Sequence, residues 1–241
     1  MKKNIALIFA GGIGSRMGKI SVPKQFLEID EVPILIHTIN YFQEHELIDG
    51  IYIVMKDDYI EYTEELVEKY KLSKVLKIVK GGATGQDSIF EGLSAIASEN
   101  DQENTNVLIH DGVRPVISSK IITNNINSVN EYGTGITSVL CNETVILSSD
   151  GKVIENAPRR DNCFLAQAPQ SFILKDILDL HKKERNSINP YDKVVDSASL
   201  FFKNNMQVHL VEGERGNIKV TTLEDYCILS SLLKFKKEQK I

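Results

Sequence analysis

The sequence predicts an α/β fold, a mostly parallel twisted sheet with helices packed on both faces. Three observations carry this expectation. Short apolar runs alternate with amphipathic helical patterns through the first half of the chain, as in parallel strands joined by right-handed crossovers. Glycine-rich turns close several of the apolar runs at their C-terminal ends. The chain, at 241 residues and 42% hydrophobic, is long enough to bury a substantial core as one domain spanning residues 1–241.

Ile5–Ala10 is a continuous apolar run, expected as the first strand, and Gly50–Met55, Val75–Val79, Asn106–His110 and Gly135–Leu140 read as four more. Pro33 starts a helix with Ile34, Leu35, Thr38, Ile39 and Phe42 on one face. Asp58–Tyr70 is an acidic amphipathic helix, Asp87–Ala97 carries Ile89, Leu93 and Ile96 at helical spacing, and Ser118–Glu131 is another helix. From about 141 to 166 the pattern changes. Thr144–Leu147 and Lys152–Ile154 flank a Ser149-Asp150-Gly151 turn and are expected to pair as a hairpin arm projecting from the sheet. Beyond it lie helices at Leu174–Lys183 and Asp196–Asn204, a strand at Gln207–Val211, a loop with a short strand around Lys219 and a final helix at Leu223–Lys236.

Composition excludes several classes. A net charge of −5 does not suit general nucleic-acid binding, and no apolar stretch approaches the roughly 20 residues of a membrane span. Cys141, Cys163 and Cys227 have neither metal-site nor disulfide-framework spacing, which fits a reducing compartment. The apolar run after Lys2-Lys3 is too short for a secretory signal, so a cytoplasmic protein is expected.

In sheets of this kind, ligands bind outside the carboxyl ends of the strands, which places Gly11–Gly18, Gly81–Ser88 and Asp111–Pro115 on one rim. Gly11-Gly12-Ile13-Gly14-Ser15-Arg16 presents backbone N–H groups to an anion, while Arg16 and Lys24 add fixed positive charge. Met17 occupies the third slot of the dinucleotide fingerprint, and two cations suit a polyphosphate undergoing group transfer better. Gly81-Gly82-Ala83-Thr84-Gly85-Gln86-Asp87-Ser88 enters a helix; Asp87 or Ser88 caps it, and the same groups suit a base or ribose. Asp111, at a strand end, is placed for Mg²⁺ or a substrate hydroxyl, or else pairs with Arg114 in a simple turn. His110 is read as structural. Lys219, between Ile218 and Val220, faces either the site or solvent.

Taken in order, these segments resemble the cytidylyltransferases that make CDP-polyols, whose best-known branches act on 2-C-methyl-D-erythritol 4-phosphate and ribitol 5-phosphate. The matching pieces are Ala10-Gly-Gly-x-Gly-x-Arg16-Met17, Pro23-Lys24-Gln25-Phe26, Pro33-Ile34-Leu35-x-His37-Thr38, Gly81-Gly82 with Asp87-Ser88, and His110-Asp111-x-x-Arg114-Pro115. They continue through Arg160, Gln167-x-Pro169-Gln170-x-Phe172, Asp196 and Asn217-Ile218-Lys219-Val220-Thr221 with Glu224-Asp225, covering about residues 4–236. The resemblance implies a Rossmann-like nucleotidyltransferase fold, CTP and Mg²⁺, and a homodimer whose β-arm reaches the partner's site. It implies that Arg16 and Lys24 stabilise charge at the α-phosphorus, while Arg160 and Lys219 hold the substrate phosphate. Phe9, Ala10, Gly11, Gly12, Gly14, Gly81, Gly82, Asp87, Ser88 and Gly112 would hold the nucleotide. Asp111 and Thr144 would face the polyol, Thr144 and Arg160 coming from the neighbouring subunit, and Asp111 is the candidate metal ligand.

Four features depart from the pattern of the family or of its methylerythritol branch. Gly85 stands where the family usually has Arg, and Ala168 where it usually has Thr. Asn142-Glu143-Thr144-Val145-Ile146 lacks the Lys usual after the arm threonine of the methylerythritol branch, and Gly112-Val113 replaces its Ala-Ala. The last two lean toward ribitol 5-phosphate as substrate, with methylerythritol phosphate or a related alditol or glycerol phosphate as the alternative. A nucleotide-binding protein without catalysis is the rival from another class.

Overall fold

The computed structural model describes residues 2–11 and 22–239. Gly12, Gly14 and Arg16 lie outside the described residues.

Seven strands form one sheet in the order β5-β4-β1-β6-β8-β7-β9. β1 (Lys3–Phe9) is central and pairs in parallel with β4 (Gly50–Met55) and β6 (Thr105–Asp111), and β4 pairs in parallel with β5 (Val75–Lys80). Successive side chains point to opposite faces, and both faces are covered. Ala6, Ile8, Ile51, Ile53 and Leu108 pack with α1 (Ile34–Glu44), α2 (Ile60–Lys69) and α4 (Ser119–Tyr132). Ile5, Leu7, Tyr52, Val54, Val107 and Ile109 pack with α3 (Gly85–Glu99), α5 (Leu174–Arg185) and α6 (Ser197–Lys203). This two-sided burial explains why the strands are continuously apolar in sequence. α1 and α4 begin where the sequence places them, Pro33 preceding α1 and the Ser118 hydroxyl capping α4 by accepting from the Ile121 amide, whereas α2 begins at Ile60 rather than Asp58 and α3 at Gly85 rather than Asp87.

Three expectations need correction. β8 (Phe164–Ile173) was not foreseen; it runs antiparallel between β6 and β7 (Thr134–Leu140). Pro169 argues against a central strand because it has no ladder donor, but it sits where the β7–β8 register shifts between Ile136 and Ser138, so the ladder tolerates it. The 144–147 and 152–154 segments are not strands. Their stretch is held by a single bridge, Leu147 with Asn156, and by a turn in which Asp150 accepts from the Lys152 and Val153 amides. Nor is 217–220 a strand: the β9 strand is Leu210–Glu212, and Val220 is fixed instead by its amide donating to Val113 O at 3.0 Å. A two-residue hairpin of β2 (Glu28–Ile29) and β3 (Val32–Pro33), turning through Asp30 and Glu31 at positive φ, also precedes α1. The last helix, α7, is Leu223–Gln239. Among the described residues no helix is long and apolar enough to cross a membrane.

Two histidines are sealed in the core. His110 on β6 holds its Nε2 3.1 Å from Arg114 O, and His181 on α5 holds Nδ1 2.8 Å from the Tyr191 hydroxyl. Burial pushes both imidazoles down from 6.5 to about 4. The unfolded chain therefore binds protons that the folded chain refuses between those values. Stability is fully present above about 6.5 and is lost as the pH falls toward 4, by up to on the order of 3 kcal/mol per histidine. Urea midpoints measured at pH 7 and pH 5 are expected to fall clearly at the lower pH; equal midpoints would contradict this assignment.

Candidate active site

The four parallel strands β5, β4, β1 and β6 end together on one rim. Their exits are cross-tied: the Ala10 amide donates to Val54 O, the Gly81 amide to Met55 O and the Gly112 amide to Phe9 O, at 2.8–3.0 Å. The second glycine turn is packed tightly against the start of α3. A side chain at Gly82 would bring its Cβ within 2.4 Å of Asp87 Cβ, which only glycine avoids. Ser88 Oγ accepts from the Gly82 amide and donates to Thr84 O. The cap of α3 is Thr84, not Asp87 or Ser88: the Thr84 hydroxyl accepts from the Asp87 amide, and the Asp87 carboxylate accepts back from that hydroxyl. Asp87 is also paired with Arg185 at 2.6 Å. Gly11, at the end of the described first turn, lies beside Ser88. Ala10, Gly11, Gly81, Gly82 and Gly112 thus lie at the strand exits, with Phe9 at the end of β1 and Asp87 and Ser88 in the first turn of α3 beside them.

Asp111, at the C-terminal end of β6, is the centre of the charge. Lys219 Nζ is 2.5 Å from its Oδ1 and Arg114 Nε 2.9 Å from its Oδ2. Burial alone would raise the carboxyl's pKa; the Lys219 and Arg114 charges outweigh it and hold the group ionised, below its usual range. Asp111 and Arg114 pair across the turn, and Lys219 reaches Asp111 and lines the same cleft. Arg114 reaches on to Asn217 O at 2.8 Å, and Asn217 donates to Ala168 O, so β8 and the 213–220 loop are laced to the cluster. Gln167 donates to Glu214 O in the same frame. Lys24 comes in from the other side, its Nζ donating to Val220 O at 3.0 Å, one residue from Lys219.

Asp111, Arg114 and Lys219 line a cleft of about 330 Å³. Its remaining walls are Phe9, Ile89 and Ile109, Ala166, Gln167, Ala168 and Gln170 of β8, Gly85 and Gln86 of α3, and Val195–Ser197. Arg160 and Thr144 are not part of it. Both are exposed on the 141–163 segment, where Arg160 donates to Asn142 O at 3.3 Å. Arg114, read from sequence only as a turn partner of Asp111 and a letter of the family pattern, lines the cleft as well. Gln170 and Asp196, hydrogen-bonded at 2.8 Å across the cleft wall, were visible only as motif letters.

Among the described residues no group of three His, Cys, Asp or Glu side chains converges as a metal cage. Asp111 fits a divalent cation only as a single carboxylate ligand, since each of its oxygens already accepts from a basic side chain. That matches Mg²⁺ carried chiefly by phosphate oxygens and water.

A glycine-turn rim, a basic cluster around a buried carboxylate and a mostly parallel sheet define a nucleotidyltransferase. The 2-C-methyl-D-erythritol 4-phosphate cytidylyltransferase family model matches residues 4–234, and the chain belongs to that family. It is 44% identical over 239 residues to a ribitol-5-phosphate cytidylyltransferase of Streptococcus agalactiae serotype Ia, covering 99% of this chain and 98% of the relative. It is 39% identical to a 2-C-methyl-D-erythritol 4-phosphate cytidylyltransferase of Clostridium botulinum, covering 97% and 98%. Among solved structures, the 4-diphosphocytidyl-2C-methyl-D-erythritol synthase of Anaerococcus prevotii superposes with a TM-score of 0.82 at 31% identity, covering 97% of this chain and 96% of that one.

Proposed function

We propose that the protein transfers CMP from CTP to the phosphate of D-ribitol 5-phosphate, giving CDP-ribitol and pyrophosphate for a cell-wall or capsular polymer. The observation that carries this reading is the Lys219–Asp111–Arg114 cluster at the strand rim, with Lys24 tied one residue away. A phosphate oxygen of the alditol phosphate attacks the α-phosphorus of CTP. A new P–O bond forms, and the bond to the β-phosphate bridging oxygen breaks with that electron pair leaving on pyrophosphate. The nucleophile is already anionic above its second pKa near 6, so no side chain need remove a proton. The obstacle is repulsion between two anions, and positioned cations address it. Lys24 and Arg16 stabilise charge at the α-phosphate, while Lys219 holds the alditol phosphate, with Arg160 supplied by a second subunit. Phe9–Gly12, Gly14, Gly81, Gly82, Asp87, Ser88 and Gly112 hold CTP. Asp111 keeps Lys219 and Arg114 in place and faces the alditol. Bound Mg²⁺, with Asp111 as its protein ligand, would supply further neutralisation of the triphosphate.

The preference for ribitol rests on Asn142-Glu143-Thr144-Val145-Ile146, which has no lysine, and on the 44% against 39% identities. Exposed Ile146, Leu147, Val153 and Ile154 on the arm, together with the distance of Arg160 and Thr144 from their own cleft, support a homodimer with shared sites. We take residues 1–241 to act as one catalytic unit in the cytoplasm. Incubation with CTP, Mg²⁺ and D-ribitol 5-phosphate is expected to release pyrophosphate, with a higher kcat/KM than 2-C-methyl-D-erythritol 4-phosphate gives. The reverse preference would move the protein to the isoprenoid branch, and CTP binding without turnover of any alditol phosphate would leave only a nucleotide-binding role.

A further inference from the structure

Gly85 is a glycine that the fold does not require. It is the first residue of α3, where glycine is less favourable than alanine. Its φ is not in the left-handed region, and a Cβ built on it meets no atom within 4 Å among the described residues. Gly82, three residues earlier, is the contrast: there a Cβ would collide with Asp87. The open space at Gly85 belongs to the cleft that holds Asp111, Arg114 and Lys219. Beside it, Gln86 lines the same cleft. Its amide is tethered only loosely, Nε2 lying 3.5 Å from Val195 O, and its Oε1 is buried with no hydrogen-bond partner among the described residues. An orphaned carbonyl at the margin of a cleft is satisfied when the side chain turns to a donor inside it. Ser88, Gly81 and Gly82 do not line this cleft, whereas Gly85, Gln86 and Ile89 do, beside the Asp111, Arg114 and Lys219 cluster.

We propose that Gly85 and Gln86 set the specificity of the cleft for the alditol chain, Gly85 by leaving room for it and Gln86 by accepting a hydrogen bond from one of its hydroxyls. The proposal rests on the alditol-phosphate reading given above. A phosphate seeks the basic cluster, whereas a polyol carries the donors that an unpaired amide oxygen needs.

Steady-state constants for D-ribitol 5-phosphate, glycerol 3-phosphate and CTP test it in Gly85→Leu, Gly85→Ala and Gln86→Leu. Gly85→Leu is expected to raise KM for ribitol 5-phosphate by about tenfold or more and to affect the three-carbon probe less, leaving KM for CTP within about twofold. Gln86→Leu is expected to raise KM for ribitol 5-phosphate by about three- to tenfold, the worth of one hydrogen bond. Gly85→Ala is expected to raise Tm by about 2 °C while still raising the ribitol 5-phosphate KM, opposite signs that a purely structural glycine would not give. Unchanged alditol constants in all three variants, or equal losses for CTP, would overturn the proposal. Lack of wild-type turnover with either ribitol or methylerythritol phosphate would instead overturn the parent reading, and this one with it.

Discussion

Lys219→Ala is expected to lower kcat/KM for the alditol phosphate by about 10²–10³, the scale on which one preorganised charge-stabilising group acts, with KM for CTP little changed. The effect is large because Lys219 is committed twice. It is the half-exposed cation of the cleft, and it is one of the two charges that keep the buried Asp111 ionised. Without it only Arg114 opposes burial, so the Asp111 pKa rises. The acidic limb of the pH–rate profile should then move to higher pH. Lys219 is partly open to water, which makes the cost in folding stability smaller than that of breaking a fully buried pair. A profile with an unmoved acidic limb, or a loss confined to CTP binding, would take Lys219 out of the phosphate-holding role.

Arg160→Ala should abolish most activity in the same way, and mixing it with Lys219→Ala should bring some of it back. In a dimer with shared sites, a hybrid of the two variants has one site with both residues intact and one with neither. Random subunit exchange yields half hybrids, so the mixture should recover roughly one quarter of the wild-type rate. Recovery at that level requires Arg160 to cross between subunits. A mixture no more active than its components would place Arg160 in its own chain's chemistry or outside the reaction.

Much of the framework was legible because both faces of the central strands are covered, which makes β1, β4 and β6 read as unbroken apolar runs. The α helices were legible from Pro33, Ser118 and the spacing of their buried faces. The strand ends followed from the glycine turns. β8 was hidden by Pro169, since the register shift that accommodates a proline is a property of the neighbouring strand and leaves no local mark. The hairpin was over-read: Thr144–Leu147 and Lys152–Ile154 have strand-like composition, but a stretch without flanking partners keeps only one bridge. In the site, Asp111 and Lys219 were picked out as charged residues next to turns, while their contact spans 108 positions of chain and is a product of folding alone. Thr84 was passed over as the α3 cap because Asp87 and Ser88, equally good capping residues, stand closer to the apolar face.

β8 carries a further implication. One ten-residue strand leaves the arm at the half-exposed Phe164 and enters the core at Phe172, supplying Ala166, Gln167, Ala168 and Gln170 to the cleft on the way. In the proposed dimer, load applied where a second protomer meets the arm would pass along a continuous backbone to the wall of the cleft. In such a dimer a change in assembly would also act on the cleft, so drift in the two properties is expected to be correlated.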